Sequence, residues 1–300
     1  VNLIGGKREW ELKRYKMQKN TIKDLKPRFI TSLICLILLF FLIGFAMQPY
    51  FKPVFVLALS VISCLALNEY FFIAKSKGIQ YSSIASFSAV ILYNFSLFFS
   101  TIYPQVTILS YVVLALFLVY LFISNFSRSQ NALVSLSVTF FGMVYIVLPL
   151  SLFILIIYFF PDEPYKGQLW VLYLLVVTKM TDTGGLFTGK FLGKHKLSPK
   201  VSPNKTIEGA IGGILLSVAA SIVFAYYSSL ISVFCALILG FIVSVFAIFG
   251  DLGESLLKRD GGIKDSGRNI PGLGGVLDMV DSLIFTTPVL YLFLRLSMDK

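Results

Sequence analysis

Residues 250–282, GDLGESLLKRDGGIKDSGRNIPGLGGVLDMVDS, gather six acids (Asp251, Glu254, Asp260, Asp265, Asp278, Asp281) and four bases (Lys258, Arg259, Lys264, Arg268). The run lies between two stretches of oil. Carboxylates beside a bilayer are expensive to desolvate and normally face protein, water or a cation. Asp278 and Asp281, three apart at the start of an apolar run, share one helix face. If 251–259 is helical, Asp251, Ser255 and Lys258/Arg259 share another. With Asp182 from a separate segment, Asp251, Asp278 and Asp281 could surround a hard cation. Oxygen-only ligands fit Mg²⁺, which keeps waters and bridges phosphates, and four carboxylates are compatible with a second cation. Lys258, Arg259 and Lys264 then face the phosphates from the other side. The plain alternative is a solvated loop salted with charges.

A second polar region spans 179–213, KMTDTGGLFTGKFLGKHKLSPKVSPNKTIEGAIGG. Glycines 184, 185, 189 and 193 are expected to let backbone approach a ligand. Lys190, Lys194, Lys196 and Lys200 supply positive charge. SPNKTIEG reads as the start of a helix, with Ser202 or Thr206 as cap, Glu208 at the positive end and Lys205 where an anion would bind. No GxxxxGK[ST] loop is present; a basic loop touching lipid headgroups is the competing reading. Such a site works by positioning and charge neutralisation rather than through a protein nucleophile. The single histidine, His195, and three scattered cysteines in apolar stretches (Cys35, Cys64, Cys235) leave little material for His-based, zinc or disulfide chemistry.

The elements that must carry these residues are membrane helices. The 300 residues are 57% hydrophobic and 14% charged, whereas a soluble domain is about a quarter charged. The expected fold is an all-α polytopic membrane protein with about nine spans, near 29–48, 54–74, 82–103, 105–124, 135–160, 169–181, 208–229, 231–249 and 280–297. The short 169–181 piece runs into Lys179, Asp182 and Gly184-Gly185, and is expected to be a broken helix lining a polar cavity. Nine crossings put the N-terminus in the cytoplasm. All but four of the 26 basic residues (Lys52, Lys166, Arg295 and Lys300) then lie inside, as orientation by positive charge requires. Both polar regions fall on that side. The net charge of +11 is thus orientation signal and contact with anionic headgroups, not a nucleic-acid footprint. Residues 1–28 form a basic cytoplasmic arm, 29–160 the N-terminal spans and 161–300 the catalytic membrane region. Glu69 ends the second span, either pairing with a motif lysine or sitting as an interfacial acid beside Lys75.

Here a resemblance enters. Ser255-x-x-Lys258-Arg259-x4-Lys264-Asp265, followed by Pro271-Gly272-x-Gly274-Gly275-x-x-Asp278-x-x-Asp281, resembles the signature of the phosphatidate cytidylyltransferase (CDP-diacylglycerol synthase) family. Asp182-Thr-Gly, Ser202-Pro-x-Lys205-Thr206-x-Glu208-Gly209 and Gly212-Gly213 match the same family in order and spacing, so the likeness covers about 179–282. The family usually has His where this chain has Leu273, and Arg where it has Met279. The resemblance implies the reaction CTP + phosphatidate → CDP-diacylglycerol + pyrophosphate with Mg²⁺. Its catalytic residues would be Lys258, Arg259, Lys264 and Asp265. Ser202, Lys205, Thr206, Glu208, Ser255, Arg268, Gly274 and Gly275 would bind substrate, and Asp182, Asp251, Asp278 and Asp281 would hold metal. The glycines and both aspartates of the signature persist, and Arg268 is expected to replace the missing arginine. The expected setting is a bacterial plasma (inner) membrane with the site facing the cytoplasm, and a homodimer is compatible with it. A membrane transporter using the same polar cavity and a catalytically inactive relative are the competing readings.

Overall fold

The computed structural model describes residues 33–126, 131–263, 267 and 274–298. The basic arm and the turn residues Lys264, Asp265, Arg268, Pro271, Gly272 and Leu273 lie outside the described residues.

The chain is a bundle of helices, as its apolar runs dictate. In order these are α1 (Leu33–Phe45), α2 (Lys52–Ser76), α3 (Ser83–Ile102) and α4 (Ile108–Asn125). Next, α5 (Ala132–Gly142) and α6 (Leu148–Ile157) are fused by one π-helical turn at Met143–Val147, and α7 (Pro164–Leu192) follows. A two-stranded antiparallel hairpin, β1 (Lys196–Ser198) and β2 (Ser202–Thr206), leads into α8 (Ile207–Ser228), α9 (Val233–Asp260) and α10 (Val276–Met298). In lipid every backbone polar group must be satisfied within the segment, so long apolar runs become helices.

Seven runs are long and apolar enough to cross a membrane among the described residues: Lys52–Ser76, Ser83–Ile102, Pro104–Asn125, Ala132–Ile157, Ile207–Ser228, Val233–Asp260 and Val276–Ser297. The other two expected spans differ in kind. The described part of the first is the short apolar helix α1. The expected broken helix at 169–181 is instead the interior of α7, a continuous helix of 29 residues. Lys179 and Asp182 remain helical because they pair one turn apart, at 3.1 Å. The Gly184-Gly185 pair is stabilised by close packing against α8. A Cβ on Gly184 would meet the Gly212 carbonyl oxygen at 2.8 Å, and one on Gly213 the Thr181 carbonyl oxygen at 2.7 Å. Small residues let membrane helices approach backbone to backbone. These glycines therefore serve helix–helix contact, not the ligand approach expected of them.

The buried core runs between the two halves of the chain. Leu67 and Phe71 of α2, Ile154 and Ile157 of α6, Trp170, Tyr173 and Leu174 of α7, Val243 of α9 and Leu277, Ile284 and Leu290 of α10 belong to one cluster. Outward side chains such as Leu116, Leu215 and Phe234 are large, apolar and exposed, which suits a surface facing acyl chains. The N-terminal spans thus brace α10, the helix that carries Asp278 and Asp281.

Candidate active site at the junction of α9 and α10

Helices α9 and α10 meet at Gly250. A Cβ there would lie 2.5 Å from the Asp281 carbonyl oxygen and 2.8 Å from Ser282 Cα. Only glycine lets the two backbones come this close, and the contact draws Asp251 toward Asp281. Asp281 is 5% exposed, and its carboxylate accepts hydrogen bonds from the Ser282 amide at 2.5 Å and hydroxyl at 3.0 Å. Asp182, Asp251 and Asp281 are close enough to repel one another. Two lysines offset that repulsion. Lys205 forms an ion pair with Asp251, while Lys179 holds Asp182 and reaches the Met279 carbonyl oxygen at 3.4 Å.

Two turns further along α9, Lys258 sits between two carboxylates, 2.6 Å from Glu254 and 2.5 Å from Asp278. The α9 span expected at 231–249 runs on to Asp260 without a break, which is why Asp251, Ser255 and Lys258 share a face. Asp278 also accepts the Gly275 amide at 3.1 Å. Gly274 adopts φ +95°, a conformation few side chains tolerate. A Cβ there would stand 3.3 Å from the Asp278 carboxylate. The buried partner that the sequence reading missed is Glu254, 1% exposed. Its i, i+4 spacing from Lys258 was the available signal.

The second polar region is built differently from its expected form. Helix α7 continues to Leu192, so Asp182 and the glycines at 184, 185 and 189 lie on a helix, not in a loop. Thr206 does cap α8, accepting the Gly209 amide at 3.1 Å. Glu208 accepts the Lys194 amide at 3.0 Å, the His195 amide at 3.2 Å, and pairs with the His195 ring at 2.6 Å. It thereby closes the link between α7 and the hairpin. Ser202 lies on β2, half buried. Arg259 reaches the hairpin rather than an acid, donating from Nε to the Val201 carbonyl oxygen at 3.3 Å. Lys190, Lys194, Lys196 and Lys200 are all exposed.

Among the described residues no group of three or more His, Cys, Asp or Glu side chains is arranged to hold an ion. The four expected ligands do not converge as one set: Asp278 is engaged with Lys258, apart from the Asp182, Asp251 and Asp281 cluster. The all-oxygen donor set nevertheless suits a hard cation that takes one or two carboxylates together with substrate phosphates. Among the described residues, each acid in the set except Asp281 is paired with a lysine whose ammonium a phosphate could draw away.

Beside the charged junction runs an apolar groove of about 400 Å³, lined by Val201, Phe246, Phe249, Leu252, Leu256 and Phe285. Its wall includes Gly253, which lies on α9 between Asp251 and Glu254. Charged and apolar surfaces therefore meet within one helical turn.

The sequence profile of the cytidylyltransferase family matches residues 26–297. A phosphatidate cytidylyltransferase from Chlamydia pneumoniae is 30% identical over 310 aligned residues, covering 96% of this chain and 97% of the relative. Another, from Chlamydia muridarum, is 30% identical over 94% of this chain and 97% of its own length. A third, from Staphylococcus haemolyticus, reaches 45% identity over 129 residues, 43% of this chain and 50% of the relative.

Proposed function

The chain belongs to the cytidylyltransferase family, and we infer from that membership that it transfers the cytidylyl group of CTP to phosphatidate, releasing pyrophosphate and CDP-diacylglycerol. The observation that carries the reading is the end-to-end match to two phosphatidate cytidylyltransferases. The junction of α9 and α10 supplies the chemistry such a transfer needs.

One phosphate oxygen of phosphatidate forms a bond to the α-phosphorus of CTP. The bond from that phosphorus to the oxygen bridging to the β-phosphate breaks, and its electron pair leaves with pyrophosphate. The attacking oxygen is already anionic, so little general-base help is required. Repulsion between the two anions is the main barrier, and fixed positive charge lowers it. Lys205 holds one carboxylate and Lys258 two in this structure, and incoming phosphates can take the place of those acids. Arg259 stands beside them at the hairpin, and Lys264, Asp265 and Arg268 complete the proposed set from outside the described residues. Ser202, Thr206, Ser255 and the Gly274-Gly275 turn are our proposed further substrate contacts, with Glu208 fixing the loop that precedes the hairpin.

One or two of Asp281, Asp251 and Asp182, together with substrate phosphates, would hold a divalent cation, for which Mg²⁺ is our proposal, with Asp278 joining once Lys258 moves to phosphate. When bound, that ion supplies charge neutralisation for the triphosphate. The apolar groove beside Gly253 would seat part of the lipid. Met279, which stands where arginine is usual, packs its side chain against the core, and we propose that the enzyme is active without an arginine there. The site would face the cytoplasm of a bacterial inner membrane, where a soluble nucleotide meets an embedded lipid. Nine crossings, with α1 and α7 both spanning, would give that orientation.

The test is direct. Purified protein in detergent micelles receives phosphatidate, Mg²⁺ and CTP labelled at the α-phosphate. Transfer of label to lipid, with release of pyrophosphate, is the expected result. Label that stays in the aqueous phase at every protein concentration would overturn the reading in favour of a transporter or an inactive relative.

A further inference from the structure

We propose that Glu69, on the second helix and more than a hundred residues from the matched motifs, is a positioning residue for the reaction. It sets the place of Asp278 and Asp281 by capping α10. The inference rests on the function proposed above. Glu69 is 2% exposed, and a buried carboxylate needs partners. Its two oxygens accept the Val276 amide at 2.9 Å and the Leu277 amide at 2.8 Å. These are the first two amides of α10, donors that have no partner inside the helix. A negative charge at this end also complements the helix dipole.

Glu69 is one part of a wider clamp. The motif segment leaves α9 at Asp260 and returns at Val276, and the cytoplasm-directed end of α2 touches both ends. Ser76 donates its hydroxyl to the Gly261 carbonyl oxygen at 2.7 Å. A Cβ on Gly261 would lie 2.6 Å from the Ile73 side chain. Lys77 pairs with Asp260 at 2.5 Å, an exposed contact that contributes little. Between the two ends, Gly267 comes so close that a Cβ would stand 2.7 Å from a Glu69 carboxylate oxygen. A single helix thus holds the end of α9, the start of α10 and one residue of the segment joining them. Asp278 is the third residue of α10 and Asp281 the sixth. A shift or rotation of the first turn would carry both carboxylates with it, one away from Lys258 and the other away from Asp251. Glu69 touches neither substrate nor cation in this scheme; it acts through α10.

The decisive variant is Glu69→Gln in the full-length protein, which keeps the volume but turns an amide NH₂ toward a backbone donor. Two readouts are taken. Hydrogen exchange at Val276 and Leu277, without substrates, is expected to accelerate by at least about tenfold. In the transfer assay, kcat is expected to fall by at least about tenfold while the KM for CTP moves less than about threefold, as for other supporting contacts of a site. Glu69→Asp, which keeps the charge on a shorter stem, should recover part of the kcat. Leu59→Ala, a buried packing change on the same helix away from the clamp, controls for loosening of the bundle. Unchanged exchange in Glu69→Gln overturns the cap, even if the wild-type protein proves unable to make CDP-diacylglycerol. Normal kcat overturns the positioning role. Equal kcat losses in Glu69→Gln and Leu59→Ala at equal loss of thermal midpoint overturn it too, because the effect would then be general instability. A wild-type protein inert in the assay would sink the proposed reaction, leaving hydrogen exchange to decide the clamp.

Discussion

Lys258 donates to Asp278 at 2.5 Å across the gap between α9 and α10, joining the two helices that carry Asp251, Ser255, Asp278 and Asp281. The same ammonium is 2.6 Å from Glu254, so one cation neutralises two acids in a region shielded from water. Lys258 is the charge whose removal should matter most.

Lys258→Met is expected to abolish measurable transfer and to lower stability by about 3–5 kcal/mol, because it leaves the buried Glu254 carboxylate and the half-buried Asp278 without their shared cation. Adding Glu254→Gln should restore much of the stability and none of the activity. Thermal unfolding in detergent, run beside the transfer assay, separates the two effects. A stable and active single variant would show that the lysine is only a surface partner.

Asp278→Asn and Asp281→Asn should each reduce turnover by at least about tenfold, roughly 1.4 kcal/mol of barrier. The Mg²⁺ concentration giving half-maximal rate should rise most for Asp281→Asn, since this acid, unlike Asp278, has no lysine ion pair among the described residues. Near-normal rates for both at ordinary Mg²⁺ would remove them from the metal site. Chelation of divalent ions should stop the wild-type reaction and Mg²⁺ should restore it.

Gly184→Ala places a methyl group against the backbone of α8, where the nearest atom is 2.8 Å away. Helices cannot yield at a backbone contact as a flexible side chain can, so a loss of about 1–3 kcal/mol is expected. Leu186→Ala, on the exposed side of the same helix, should be nearly neutral. Equal midpoints for the two variants would mean that α7 and α8 separate freely.

Deleting residues 1–24 should leave transfer in detergent intact while weakening binding to vesicles rich in anionic lipid, since the arm supplies charge but no motif. Vesicle flotation and the transfer assay measure the two properties apart. Complete loss of activity in a folded truncation would place the arm within the site.

Arg268→Ala tests whether that residue replaces the usual arginine, and a drop in turnover of at least about tenfold is expected. The replacement pair Leu273→His with Met279→Arg should raise the wild-type rate little. A wild-type chain that is inert and gains turnover only with that pair would be a degenerate relative.

What the sequence determined by itself is local. Hydropathy over some twenty residues places the spans, because a helix in lipid satisfies its own backbone and needs no distant partner. Thr206 could be read as a cap, and Asp251, Ser255 and Lys258 as one face, because both relations close within two helical turns. The motifs of 179–282 were enough to indicate the family. Only the tertiary structure decided which distant elements meet. Glu69 reads either as the partner of a motif lysine or as an interfacial acid, since nothing near it in the chain shows that its partners are the amides of Val276 and Leu277. The glycines of α7 looked like a ligand loop because the facing glycines belong to α8. The break expected in α7 did not occur, because the Lys179–Asp182 pair and the contact with α8 stabilise residues that look like helix breakers in isolation. Helix caps and backbone contacts between elements depend on where a second segment lies, and a single segment's periodicity carries no record of that.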